Sequence, residues 1–262
     1  MSLESYYKDH WVDIDAQRLD RYEQMFQWRD AQERLLAPAD VQPGHVAVDY
    51  GCGPGFVTLE LLRRVGPRGH VHAFDVNAEF LRRTASRAAN EGFDAQLTTH
   101  LLTDAEIPLP AGAVHRVIAK NVMVYVDDPL ATFRDFRRIT QVDGLVHAID
   151  SDFWMSVVDP VKPLAWRALM DAAGPAFRTP TIGRQLYRLA AESGFRDVKA
   201  EVVSRPDTEG RMLHFITNMA GYARLGGASE ALIEEVLTTA REAVNSGTFF
   251  ALNPQFMVTA RV

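Results

Sequence analysis

The 262-residue sequence holds a single cysteine, Cys52, which excludes an internal disulfide and a multi-cysteine zinc site. No apolar run approaches the roughly 18–20 residues needed to cross a bilayer, and no basic-then-apolar leader opens the sequence. A cytoplasmic protein without a membrane span is the expectation. Positive charge is also scarce: 28 Lys and Arg stand against 34 Asp and Glu, and the net charge of −6 argues against a nucleic acid as partner. Linkers, low-complexity tracts and internal repeats are missing too. One domain over 1–262 is therefore expected, with 47% hydrophobic residues to build a large core.

What is present is concentrated between His45 and Phe56. Val46-Ala47-Val48-Asp49 is a short apolar run ending in an acid. Gly51, Gly53 and Gly55 follow at alternate positions, and Val57-Thr58-Leu59-Glu60-Leu61-Leu62 has helical spacing. The pattern predicts a buried strand, a tight turn and the start of a helix. Glycines there permit positive φ and let a ligand lie on bare main chain, facing the free N–H groups of the helix. Cys52 reads as a small residue filling space in this loop.

From Pro43 onward strands and helices alternate. Strands are predicted at Val46–Asp49, His70–Asp75, about Ala95–Leu101, Val114–Ala119 and Leu145–Ile149. Gly66 is placed to end the first helix, Asn77 to cap the second, and Asp128-Pro129 to open a third. This alternation predicts an α/β fold, Rossmann-like and doubly wound, with a mostly parallel sheet and ligands at the carboxyl ends of its strands. Asp49, Asp75, Asp104, Asn121 and Asp150 all fall at or just past such ends.

Ahead of this core, residues 1–40 read as an N-terminal cover or lid, a mobile aromatic lead-in followed by helices near Leu19–Phe26 and Trp28–Leu36. Residues 41–152 form the cofactor-binding core. Residues 153–262 supply helices near 161–173 and 181–191 and two strands, Val198–Val203 and an antiparallel Phe256–Ala260, around a helical cap inserted at about 205–250.

Two cofactors are commonly held by a glycine loop after a first α/β strand. The dinucleotide fingerprint G-x-G-x-x-G needs a third glycine where this chain has Phe56, and no Tyr-x-x-x-Lys pair serves hydride chemistry. The loop instead carries Asp49 two residues before its first glycine. A pyrophosphate gains nothing from that carboxylate, whereas a ligand with an ammonium group does. S-adenosylmethionine has an ammonium and a sulfonium and no phosphate. Asp75 would accept hydrogen bonds from both ribose hydroxyls. An NAD(P)-dependent oxidoreductase and a non-methylating S-adenosylmethionine binder are the alternatives.

Asp49-Tyr50-Gly51-Cys52-Gly53-Pro54-Gly55, Ala73-Phe74-Asp75-Val76-Asn77, Thr103-Asp104-Ala105-Glu106 and Asn121-Val122-Met123-Val124-Tyr125 together resemble the motifs of the class I S-adenosylmethionine-dependent methyltransferases. The likeness is to the small-molecule group related to the ubiquinone/menaquinone-biosynthesis enzymes. It implies a cofactor site of Asp49, Gly51, Cys52, Gly53, Gly55, Asp75, Val76 and Asn121, with Asp104 and Ala105 at the adenine and Arg29 near the methionine carboxylate. Tyr125 stands where relatives often carry histidine.

Methyl transfer from a sulfonium needs the acceptor atom held about 3–3.5 Å from the methyl carbon, with water excluded. A base is needed only if the acceptor must lose a proton. Candidates are His10, Tyr125, Asp152 and His214. Tyr6, Trp11, Trp154 and Phe250 are candidates for an apolar pocket around a small, partly apolar substrate, of the kind met in secondary metabolism. Asn121 is followed by Val-Met-Val rather than Pro-Pro-aromatic, which demotes amine methylation in nucleic acids. Asp150 and Asp152 offer only two ligands where a Mg²⁺ site wants more, so no metal is expected. The acceptor atom and the oligomeric state are left open.

Overall fold

The computed structural model describes residues 4–12, 14, 16–29, 32–103 and 106–262. The chain opens with α1 (Tyr6–Val12), α2 (Ala16–Phe26) and α3 (Glu33–Leu36). Next come β1 (Val46–Tyr50), α4 (Phe56–Val65), β2 (His70–Asp75), α5 (Ala78–Asn90), β3 (Leu97–Leu101), β4 (Val114–Lys120), α6 (Pro129–Ile139) and β5 (Thr140–Ser151). The remainder is β6 (Val157–Asp159), α7 (Pro163–Ala173), α8 (Ile182–Glu192), β7 (Arg196–Val203), α9 (Leu213–Leu225), α10 (Glu230–Ser246), β8 (Phe250–Leu252) and β9 (Gln255–Arg261).

Successive side chains of a strand point to opposite faces, and each face here meets its own layer of helices. Ala47 of β1 and Ile118 of β4 join Leu61, Leu62 and Val65 of α4 on one face. Val48, Val117 and Ala119 join Phe133 and Phe136 of α6 and Leu186 of α8 on the other. Both layers bury these residues almost completely, which is why the central strands read as continuous apolar runs.

The seven strands lie in the order β3-β2-β1-β4-β5-β9-β7, and β9 runs antiparallel to both of its neighbours. The strand order reverses between β1 and β4, which pair in parallel through Asp49↔Ile118 and Tyr50↔Ala119. A crevice opens at the carboxyl ends of the strands at such a reversal. Helices α9 and α10 and strand β8 lie between β7 and β9 in sequence. Among the described residues no helix is long and apolar enough to cross a membrane.

Several elements differ from expectation. The aromatic lead-in is itself helical, as α1, and the expected helix from Trp28 shrinks to α3 followed by a 3-10 turn at Ala37–Ala39 that contains Pro38. The strand expected at Leu145–Ile149 starts earlier, at Thr140, and takes in Asp143 and Gly144; Asp143 holds φ 62° there and the pairing with β4 shifts register between Val114 and Arg116. The two-stranded sheet of β6 and β8 is unanticipated.

Candidate active site

The turn after β1 is held from below: the N–H groups of Gly51 and Cys52 both donate to the carbonyl of Phe74, at 2.8 and 2.9 Å. A Cβ on Gly51 (φ 74°) would sit 2.3 Å from Cγ2 of Val122, and one on Gly55 (φ 87°) 2.5 Å from Oγ1 of Thr84. Packing therefore demands both glycines. Gly53 (φ 52°) is different, because nothing lies within 4 Å of where its Cβ would be. Its main chain is open to the cleft.

Four ionisable groups meet beneath this loop. One oxygen of Asp75 accepts the Gly53 N–H at 2.8 Å and the other accepts the Asn77 N–H at 2.9 Å, which ties the loop to the end of β2. Burial pushes Asp75 up to about 6 against those donors. Asp49 accepts from the Thr58 hydroxyl at 2.6 Å, and burial lifts it to about 7. Asp150 accepts the N–H groups of Val124 and Ser151, at 3.1 and 2.8 Å, and burial likewise lifts it to about 7. Burial lowers Lys120, whose ammonium is partly sustained by the charges of Asp49 and Asp150. A cation entering beside Asp49 would relieve the cost of its buried charge.

Above these groups lies a cleft of about 300 Å³. Gly51, Cys52, Gly53, Val76, Lys120 and Asn121 line its floor, Phe80, Leu102 and Thr103 the β3 side, and Trp11, Trp28, Tyr125 and Val126 the side covered by the N-terminal segment. Asn121 holds φ 55° at the end of β4, with its N–H on the Ile149 carbonyl at 2.8 Å. Asp104 and Ala105 lie outside the described residues.

The other expected residues divide sharply. Tyr125 is on the cleft wall, and burial pushes its phenol up, so it is a hydrogen-bond donor at neutral pH. The Cys52 thiol is also pushed up by burial, which makes it inert as a nucleophile. His10 and Tyr6 stand behind the wall, stacked at 4.7 Å. Gly55 lies just behind the cleft floor, at the start of α4.

Arg29 is exposed and off the cleft wall; the lysine at the cleft floor is Lys120, which the sequence reading overlooked. His214 is exposed on α9. Asp152 is fully buried but occupied, accepting from Arg184 and from the Trp154 N–H at 3.1 Å. Trp154 faces a separate hollow with Val157 and Trp166, under the guanidinium of Arg167, and Phe250 is part of β8 away from the cleft. The chain turns outward after β5 in the 3-10 turn Phe153–Met155, and this carries its aromatics off the site.

Comparison with known proteins agrees with this geometry. Residues 47–144 match the family described as "Methyltransferase domain". The chain is 30% identical over 179 residues to the ubiquinone/menaquinone biosynthesis C-methyltransferase UbiE of Cupriavidus taiwanensis, covering 63% of this chain and 72% of that protein. It is 32% identical over 119 residues to nocamycin O-methyltransferase of Saccharothrix syringae, covering 45% and 42%. At 48% and 42%, the chain spans about half the length of two curated relatives it matches. Its fold is similar to that of a SAM-dependent methyltransferase from Aquifex aeolicus, with a TM-score of 0.57, 16% identity and coverage of 95% and 98%. With its glycine loop, its paired strand-end carboxylates and its kinship to UbiE, the chain belongs to the class I S-adenosylmethionine-dependent methyltransferases.

Proposed function

We propose that the protein methylates a small, partly apolar organic molecule, using S-adenosylmethionine. The observation that carries this reading is the cleft floor, where the open main chain of Gly53 lies between two buried carboxylates, Asp49 and Asp75. The residues fit the cofactor: Asp75 keeps free lone pairs for the ribose hydroxyls, and Asp49 offers a carboxylate to the ammonium. Bound there, the cofactor supplies an electrophilic methyl group on a sulfonium.

The protein's own contribution is orientation and exclusion of water. Trp11, Trp28 and Tyr125 wall the cleft with aromatic surface, and Lys8, paired with Asp127 at 3.5 Å, closes its rim. Positioning of this kind supplies several kcal/mol toward a displacement that needs no nucleophile from the enzyme. Kinship to a C-methyltransferase and an O-methyltransferase supports a small organic acceptor. Calorimetric titration is the test. S-adenosylmethionine and S-adenosylhomocysteine should both bind and NAD(P) should not; binding of NAD(P) alone would sink the proposal.

A further inference from the structure

Strand β7 forms an outer edge of the seven-stranded sheet, paired with β9 on one side and with no strand on the other among the described residues. None of its eight residues is buried, and Val202 is 56% exposed. An open edge presents a row of unpaired N–H and C=O groups, which natural sheets guard with charges, bulges or a covering element. Here the bulge guards one end alone. It lies between Arg196 and Lys199, where Asp197 takes φ 49°, and the Arg196 guanidinium is tied to Asp143 at 3.0 Å and to the Val262 carbonyl at 2.6 Å. From Lys199 to Val203 the strand is regular, each residue facing one of β9 from Thr259 to Gln255.

Alternation divides this stretch into two faces. Lys199 and Glu201 stand on one, and neither has an ion pair among the described residues. Val198, Ala200 and Val202 stand on the other. When two copies of a strand pair antiparallel about a two-fold axis, the residue on the axis meets itself and its flanking residues meet each other. With Ala200 on the axis, Lys199 of each copy faces Glu201 of the other, and Val198 faces Val202. A shift of one residue fails in either direction. Lys199 on the axis sets lysine on lysine and Asp197 on Glu201, and Glu201 on the axis sets glutamate on glutamate. Val198 on the axis needs the bulge straightened, and Val202 on the axis sets Lys199 against Arg205. Like charges directly opposite destabilise a strand pair and unlike charges stabilise it. The charges that repel other strands therefore accept a copy of this one, in a single register.

We propose that the protein associates with a second copy of itself through β7, antiparallel and centred on Ala200, so that the two sheets run on as one. The pairing satisfies the open edge, neutralises Lys199 and Glu201, and covers the exposed side of Val202. Strands β5 and β9 lie between β7 and the β4 strand that borders the cleft, so the interface leaves the cleft of each copy open. A short strand pair is a small interface, and its affinity belongs in the micromolar range.

Sedimentation equilibrium over about 1–200 μM protein should show monomer and dimer in exchange. Lys199→Glu and Glu201→Lys should each weaken the dimer about tenfold or more, and the two together should restore it to within about threefold of wild type. Unchanged circular dichroism marks each variant as folded. Cross-linking then reads the register. Ala200→Cys puts a thiol on the axis, with the two Cα atoms about 4.5–5.5 Å apart and within disulfide reach. Cys52 is buried and does not compete. Oxidised glutathione should link Ala200→Cys into dimers and leave Val202→Cys, which faces Val198, as single chains. A protein that stays monomeric throughout overturns the proposal. So does a dimer indifferent to both charge reversals, or one that cross-links as readily in Val202→Cys as in Ala200→Cys.

Discussion

The glycines of the loop serve different masters, and alanine separates them. Gly53→Ala places a methyl group in open space, so the fold should survive with a strain cost of about 1–2 kcal/mol at its positive φ. Affinity for S-adenosylhomocysteine should fall by about tenfold or more, because a Cβ now stands where the ligand meets main chain. Gly51→Ala drives a Cβ into Val122 and should lower the melting temperature sharply. Equal behaviour of the two variants would contradict this division. Asp75→Ala removes the acceptor of two backbone N–H groups as well as the acceptor proposed for the ribose, and should weaken the cofactor about a hundredfold by calorimetry. Wild-type affinity would refute the ribose assignment. These loop residues were legible because glycine order and strand-end acids are local signals. Lys120 was not, since a lysine at a strand end looks like ordinary surface until the register sets it beside Gly51.

Among the elements, the junction of β5 with α8 depends on the buried Asp152 carboxylate held by Arg184. Removing that half-exposed arginine strands a charge, and Arg184→Ala should cost about 1–3 kcal/mol. For a chain of this size that is a fall of roughly 2–10 °C in melting temperature, with no change in cofactor affinity. A loss of methyl transfer at unchanged stability would restore Asp152 as a catalytic candidate. Asn77 caps α5 through the Phe80 N–H at 2.9 Å and also holds the Trp11 carbonyl. Asn77→Ala should therefore cost about 1 kcal/mol and speed hydrogen exchange throughout α1. Strands β1, β2 and β4 could be read from their apolar runs because both faces are buried. Strands β6 and β8 could not, since three residues carry no period, and their aromatic and aliphatic side chains mimic a pocket lining. Nothing local to Trp154 or Phe250 records which way the chain leaves the sheet.

For the molecule as a whole, burial has lifted three strand-end carboxyls, Asp49 and Asp75 at the cleft and Asp150 behind it, to about 6 or 7 from an ordinary 3.8. Groups raised in this way contribute stability that is complete below about pH 4 and is lost as pH rises through 6–7. The ligand-free protein therefore softens toward neutrality, where a cation beside Asp49 helps most. Affinity for S-adenosylhomocysteine should rise about tenfold between pH 5.5 and 7.5 as Asp49 ionises, and hold above that while the ligand's α-ammonium, kept charged by its own carboxylate, stays protonated. A flat profile from calorimetry would show that Asp49 does not meet the ammonium. The sheet has one more implication. Val203 of β7 stands opposite Gln255 of β9, so the chain departs for α9 and α10 and returns at the same rung of the ladder. Whatever is spliced between those two residues closes on itself and cannot shift the register of the strands that carry the cofactor. Changes of length at this seam leave the pairing of the sheet, and the cleft at its strand ends, as they are.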